Sequence, residues 1–348
     1  MKRLIPLPSQ PPSLPFPGDP WPRSWLDARV DRALLDETLD WAFAQPPELG
    51  ETRAIVIVQR GAIVAERYAD DVDADTTHIS WSMAKSFLHA VVGILVREGR
   101  LDVGARAQVP EWQDESDPRH SITLDQLMRM SSGLQFVEDY VDEGISHVIE
   151  MLFGGHKDDT AAYAASLPLV HDPGTFWSYS SGTSNIVSRL TADALGASGD
   201  EYAAFLRREL FEAIGMRSAT LRFDAAGTWI GSSFVFATAR DFARFGLLYL
   251  RDGVWDGRRI LPEGWVDYAR TPTPTPESEL LGYGAHWWLV PGSLGIFAAT
   301  GYNGQRIMCV PALDLVLVRL GVTPVDLAES LRRFTKRIVD AFRPASRS

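Results

Sequence analysis

The pattern of apolar and polar positions gives the chain strand-rich ends and a helical middle. Two β-branched runs, 53–59 and 62–68, flank Gly61 and predict a hairpin whose first strand is covered on both faces. Near the C-terminus four more strand-like runs follow, at 283–290, 295–300, 305–310 and 315–320. Helical spacing of apolar residues marks 24–45, most of the stretch between 82 and 270, and the segment from 324 onward.

These elements predict an α+β fold in which one antiparallel sheet is built from both ends of the chain. Terminal helices would flank the sheet, which would carry an inserted, mostly helical domain. The predicted domains are a proline-rich arm (1–23), a sheet domain (24–81 and 275–348) and the insertion (82–274). Eight prolines lie between Pro6 and Pro22, so the arm cannot be helical and either wraps the body or is loose.

Composition and charge narrow the class of protein. The net charge of -11, without a basic block, argues against a nucleic-acid partner. No apolar run is long enough for a signal peptide or a membrane-spanning helix, so we expect a cytoplasmic protein with no membrane partner. The single cysteine, Cys309, excludes an intramolecular disulfide, and the seven histidines lack ligand-like spacing, so no metal or cofactor is expected. The oligomeric state stays open, a homodimer included.

The strongest chemical signal is a serine and a lysine three residues apart at the start of a helix. Ser82 and Lys85 lie on one face, so the amine can reach the hydroxyl. A serine needs an adjacent base to become a nucleophile, and apolar neighbours such as Trp81, Met83 and Phe87 would lower the lysine pKa. The alternative is a helix-capping serine beside a solvated lysine, and chance alone produces such pairs.

Two later stretches add candidate groups. The turn-rich segment 173–183 places Tyr179 on a loop just before a helix, although it can equally be a packed aromatic. The segment 300–305 leads into a strand with glycines that would let a substrate lie against its edge, or it is an ordinary hairpin turn.

Taken together, these residues resemble the serine β-lactamase and penicillin-binding-protein superfamily. Its three motifs are matched in order by Ser82-Met83-Ala84-Lys85, Tyr179-Ser180-Ser181 and Tyr302-Asn303-Gly304. The second motif, with Ala237-Thr238-Ala239-Arg240-Asp241, is most similar to the branch of class C-like esterases and aminohexanoate-oligomer hydrolases. The resemblance covers roughly residues 50–345 and implies a β-lactamase-like fold and a serine hydrolase.

The resemblance implies that Ser82 attacks an amide or ester carbonyl of a small molecule, Lys85 takes the proton, and Tyr179 relays it. Backbone N–H groups of Ser82 and Gln305 would form the oxyanion hole. The residues expected to bind substrate are Tyr140, Trp177, Ser181, Asn303, Gly304 and Gln305. Ser181 and Tyr302 replace the asparagine and lysine of β-lactamases, so β-lactams are expected to be poor substrates. The alternatives are a carboxylesterase with little amidase activity and a catalytically silent binding protein.

Overall fold

A computed structural model describes residues 4–140, 146–277 and 279–343. The strands are β1 (Glu51–Gln59), β2 (Ala62–Tyr68), β3 (Thr77–Ile79), β4 (Thr220–Leu221), β5 (Val235–Thr238), β6 (Val254–Trp255), β7 (Arg258–Arg259), β8 (Gly282–Tyr283), β9 (Trp288–Leu289), β10 (Phe297–Gly301), β11 (Gln305–Val310) and β12 (Leu315–Val322). The α-helices are α1 (Arg32–Phe43), α2 (Ala84–Arg97), α3 (Leu124–Met128), α4 (His147–Phe153), α5 (Thr160–Ser166), α6 (Ser181–Leu195), α7 (Gly199–Leu206), α8 (Ala239–Leu250), α9 (Trp265–Arg270) and α10 (Ala328–Ala341).

A seven-stranded antiparallel sheet forms the centre of the fold, in the order β2-β1-β12-β11-β10-β9-β8. Both of its faces are covered. Along β1, Val56 and Val58 pack in the large core shared with α2 and α8, while Ile55 and Ile57 pack in a second core with α1 and α10. This alternation explains why β1 is apolar at successive positions. The predicted α+β class, with a sheet from both chain ends, is confirmed.

One predicted strand is a hairpin. The run 283–290 contains the last residue of β8 and all of β9, and these two strands pair with each other around a bend. At the bend, a side chain on Gly284 would come within 1.8 Å of the Ala269 carbonyl, and the His286 N–H donates to Met128. The apolar pattern alone shows a continuous run, because the bend depends on this close approach of helix α9.

The N-terminal arm wraps the body. Arginines of the helical middle hold its backbone: Arg244 donates to Gly18 O, Arg251 to Pro8 O and Arg270 to Ile5 O. Arg244 lies in α8 and Arg251 directly follows it, so both fall within the span predicted for the insertion. Yet α8 packs directly on the sheet, since Gly246 lies against Ile307 and Val316. The domain boundaries therefore stay predictions.

Helix α2 is held rigidly in the core below the candidate nucleophile. All its residues from Ala84 to Leu95 are buried. The Phe87 ring stacks on Phe245 at 3.6 Å between centroids, and Gly93 lets the Trp265 ring approach the helix backbone. A residue at the start of this helix therefore has a fixed position relative to the sheet.

Candidate active site

Ser82 lies in a short 3-10 turn, Trp81–Met83, that leads into α2. The preceding residue, Trp81, has φ 45°, a left-handed conformation that is costly for a bulky side chain. Ser80 fixes this turn to β5, because its N–H donates to Val235 O at 2.8 Å and its hydroxyl accepts from Val235 N at 3.0 Å. Strain of this kind, held by surrounding hydrogen bonds, is typical of functional sites.

Lys85 is buried, with 2% of its surface exposed. Its Nζ lies 3.0 Å from Ser82 Oγ, 3.0 Å from Ser181 Oγ and 2.9 Å from the Ser232 carbonyl oxygen. Each of these atoms can accept one of the three ammonium protons. The i,i+3 spacing that the sequence shows therefore becomes a direct contact between amine and hydroxyl.

The surroundings make Lys85 a usable base. Burial lowers its pKa from 10.5 to about 8, because the low-dielectric interior disfavours the charged form, and the Glu138 carboxylate opposes this shift. A base of this strength is partly neutral near physiological pH and can still hold a proton once it has taken one.

Tyr179 lies beside the same amine. Lys85 Nζ is 4.8 Å from the centre of the Tyr179 ring, and the ring also packs at 5.3 Å from Trp288 and 6.0 Å from Tyr283. Burial raises the pKa of Tyr179, while a side-chain hydrogen bond with Ser82 opposes the change. The phenol is therefore protonated at neutral pH and can donate.

Ser181 joins the lysine to a carboxylate that the sequence analysis left without a role. Its hydroxyl donates to Glu138 Oε1 at 2.6 Å, and its N–H donates to Glu138 Oε2 at 2.7 Å. The Tyr140 hydroxyl donates to the same carboxylate at 2.6 Å. The structure thus links Ser82, Lys85, Ser181, Glu138 and Tyr140 in one series of contacts, with Tyr179 beside the amine.

The end of β10 packs against Ser80, at the start of the turn that carries Ser82. A side chain on Gly301 would lie 2.2 Å from the Ser80 carbonyl oxygen, so only glycine permits this contact. The next residue, Tyr302, places its ring 5.8 Å from Trp81 and 5.0 Å from Tyr140. Tyr302 and Tyr140 are both partly exposed, and Tyr302 lies against Trp81, the residue that precedes Ser82.

Four other residues predicted to bind substrate have contacts of their own within the fold. Trp177 is buried in an aromatic cluster with Tyr283. The Gln305 carboxamide is bound to the backbone of Gly321, so its side chain points into the sheet. The backbone carbonyls of Asn303 and Gly304 accept from Arg319, which holds the turn from below. The roles predicted for these four residues at the substrate, including the Gln305 backbone N–H in the oxyanion hole, therefore stay predictions.

Sequence reasoning missed two members of the site. Glu138 comes 43 residues before its partner Ser181, and Ser232 contributes a backbone carbonyl, which has no sequence signature. The one available signal for Glu138 was its place two residues before the predicted Tyr140.

Two other features are absent from the residues that the structure describes. Within residues 4–140, 146–277 and 279–343, no group of three or more His, Cys, Asp or Glu side chains is arranged to hold a metal ion. Over the same ranges, every helix is too short or too polar to cross a membrane.

The chain is similar to known proteins that are named as hydrolases or esterases. 6-Aminohexanoate-dimer hydrolase of Paenarthrobacter ureafaciens is 26% identical over 294 residues, covering 78% of this chain and 73% of that protein. Esterase EstB of Burkholderia gladioli is 27% identical over 326 residues, covering 88% and 73%. A solved Bacillus anthracis structure, provisionally named a 6-aminohexanoate-dimer hydrolase, has a TM-score of 0.75 at 23% identity, covering 97% of this chain and 89% of its own.

The model of the Beta-lactamase family matches residues 51–335, and the chain belongs to that family. It is a serine hydrolase with the β-lactamase-like fold. The resemblance inferred from the three motifs is confirmed.

Proposed function

We propose that this protein hydrolyses amide or ester bonds of small molecules through an acyl-enzyme on Ser82. The observation that carries the proposal is the 3.0 Å contact between Ser82 Oγ and the buried Nζ of Lys85. A nucleophile within hydrogen-bond distance of a base with lowered pKa is the arrangement that covalent catalysis requires.

In the acylation step, neutral Lys85 takes the Ser82 hydroxyl proton as Oγ bonds to the substrate carbonyl carbon. The carbonyl π electrons move to oxygen, giving a tetrahedral oxyanion. The Ser82 N–H is one donor to this oxyanion. For the second donor we propose a backbone N–H at the end of β10, where Gly301 lies against Ser80, in place of Gln305, which lies across the hairpin on β11.

Collapse of the oxyanion breaks the bond to the leaving group, which takes a proton from the Tyr179 phenol. The Lys85 ammonium returns a proton to Tyr179, so the pair is neutral again. Water then attacks the acyl carbonyl, the same groups accept its proton, and Ser82 leaves with a proton restored to its oxygen. The pKa shifts support these directions, since burial keeps Tyr179 protonated and Lys85 partly neutral.

The chemistry of the relatives supports both substrate classes. One is named a 6-aminohexanoate-dimer hydrolase and one an esterase. Residues 297–305 contain no lysine that could bind the carboxylate of a β-lactam. We therefore propose uncharged amides or esters as substrates, with Tyr140 and Tyr302 bordering the acyl or leaving group. An esterase with little amidase activity is the second candidate, because esters need less help from the Tyr179 acid.

The test is intact-protein mass spectrometry after treatment with a fluorophosphonate, together with turnover of a p-nitrophenyl ester and the matching anilide. We expect one adduct on the wild type, no adduct and no turnover for Ser82→Ala, and full labelling of Ser116→Ala, which removes an exposed hydroxyl. A folded wild type without an adduct would contradict the proposal and support a binding protein instead. Ester turnover without anilide turnover would select the esterase.

We also propose a cytoplasmic location. The lone cysteine, Cys309, is a buried free thiol, so the fold does not depend on an oxidising compartment. Fractionation of cells that express the native gene tests this: recovery with periplasmic or secreted markers would contradict it.

A further inference from the structure

The amine of Lys85 is connected to a carboxylate through a single hydroxyl. Lys85 Nζ lies 3.0 Å from Ser181 Oγ, and Ser181 Oγ lies 2.6 Å from Glu138 Oε1. An ionised carboxylate only accepts hydrogen bonds, so the Ser181 hydroxyl proton must point toward Glu138. The oxygen of Ser181 therefore presents a lone pair to Lys85 and can only accept from it.

This fixes the geometry of the neutral amine. A neutral lysine has two N–H donors and one lone pair. Ser181 Oγ takes one donor, and the Ser232 carbonyl oxygen, at 2.9 Å, can take only the other. The lone pair is then left for the third neighbour, Ser82 Oγ, whose proton it must accept.

We propose that Glu138 is a positioning residue that, through Ser181, aims the Lys85 lone pair at Ser82 and stabilises the ammonium once it forms. The inference deepens the proposed function and depends on Ser82 being the nucleophile. Glu138 itself touches neither the nucleophile nor the reacting carbonyl in this arrangement. Its place is fixed from a second side by the Ser181 N–H and the Tyr140 hydroxyl.

Among the residues that the structure describes, Glu138 is the carboxylate whose charge acts on the Lys85 amine. Within 4–140, 146–277 and 279–343, the other groups near the Lys85 amine are hydroxyls, a carbonyl, an aromatic ring and an imidazole, contributed by Ser82, Ser181, Ser232, Tyr179 and His286. Burial and the nearby Lys85 lower the pKa of His286 to about 3, so that ring is neutral. As the Ser82 proton moves to Nζ, the positive charge that appears faces the carboxylate across one hydroxyl.

Replacing the Glu138 carboxylate by an amide removes both the orientation of the Lys85 lone pair and the charge that stabilises the ammonium. In Glu138→Gln the amide N–H₂ can donate to Ser181, which frees the hydroxyl to donate to Lys85 and occupy its lone pair. The loss of an opposite charge also lowers the lysine pKa, by about 1 unit or more. We expect kcat for the p-nitrophenyl ester to fall about 10²-fold, because misalignment of a catalytic group typically costs that much. We also expect the rising limb of the pH profile to move to lower pH.

The lysine pKa can be measured without any turnover, because the chain has only four lysines. Protein labelled with [¹³C]lysine is titrated by NMR, and the Lys85 signal is assigned by its loss in Lys85→Arg. The comparison uses wild type, Glu138→Gln, Glu138→Asp and the control Glu115→Gln, which removes an exposed carboxylate. Glu138→Asp keeps an acceptor and a charge, so its Lys85 pKa should stay closer to the wild type.

Ser181→Ala tests the orientation of the Lys85 lone pair separately from the charge of Glu138. It keeps the carboxylate but removes the bridge, so kcat should fall while the lysine pKa moves less than in Glu138→Gln. A Lys85 pKa and pH profile unchanged in folded Glu138→Gln would overturn the inference and leave the proposed function standing. A wild type that takes no fluorophosphonate adduct would overturn the proposed function instead, whatever the titrations show.

Discussion

Replacing Lys85 by methionine should abolish hydrolysis and remove a free-energy cost that the fold carries at neutral pH. The side chain is buried, and its pKa is lowered from 10.5 to about 8. Each pKa unit corresponds to about 1.4 kcal/mol, so burial of the ammonium costs the folded state about 3 kcal/mol below pH 8. Methionine has similar length and no charge, so it does not have this cost.

The sign of the pH dependence follows from proton counts. Between pH 8 and 10.5 the unfolded chain binds the Lys85 proton and the folded chain has lost it, so the wild type gains stability as pH rises. Methionine has no proton to lose. The stability of Lys85→Met relative to wild type should therefore fall by about 3 kcal/mol from pH 7 to pH 10.5. Its loss of hydrogen bonds to the Ser232 carbonyl, about 1–3 kcal/mol, is the same at both pH values.

Urea unfolding of the two proteins, followed by fluorescence at pH 7, 8.5 and 10.5, tests this reasoning. The control is Lys157→Met, which removes an exposed lysine and should show a pH-independent difference. A Lys85→Met difference that stays constant across this range would show that Lys85 has an ordinary pKa in the folded protein. The basis for its role as a base at neutral pH would then be lost.

Three further predictions concern neighbouring parts of the molecule. Tyr179→Phe should reduce anilide turnover about 10²-fold or more and ester turnover less, because the weaker leaving group needs the acid; equal losses would contradict that role. Gly301→Ala should slow fluorophosphonate labelling about tenfold or more by pushing β10 away from Ser80, whereas Gly282→Ala, with 3.5 Å of room, should not. Arg251→Ala should cost about 3 kcal/mol in thermal unfolding and expose the N-terminal arm to protease, because it breaks a buried ion pair.

The fold could be predicted where the signal was local. The hairpin of β1 and β2 depends on two β-branched runs and the glycine between them, which are adjacent in sequence. The run 283–290 could not be predicted correctly, because its bend depends on Ala269, which is distant in sequence. Whether the arm was loose also had no local signal, since the arginines that hold it lie more than 200 residues away.

The candidate site divides in the same way. Ser82 and Lys85 could be paired from helical spacing, because one turn of helix sets their distance. The contact between Glu138 and Ser181 joins residues 43 positions apart, so no periodic pattern in the sequence predicts it. The sequence predicts the backbone N–H of Gln305 at the oxyanion hole, but it carries no signal for where the side chain of Gln305 lies. The pleat of β11 turns it toward Gly321.

The charge balance of the site argues for uncharged substrates. When Lys85 is neutral and ready to act, Glu138 faces it across one hydroxyl, and residues 297–305 contain no lysine to offset that carboxylate. A substrate with its own carboxylate next to the scissile bond would approach a site with a negative field and lack the cation that β-lactamases provide. Neutral amides and esters meet no such repulsion. The same carboxylate becomes favourable when the proton reaches Lys85, so its contribution is larger in the transition state than in the ground state.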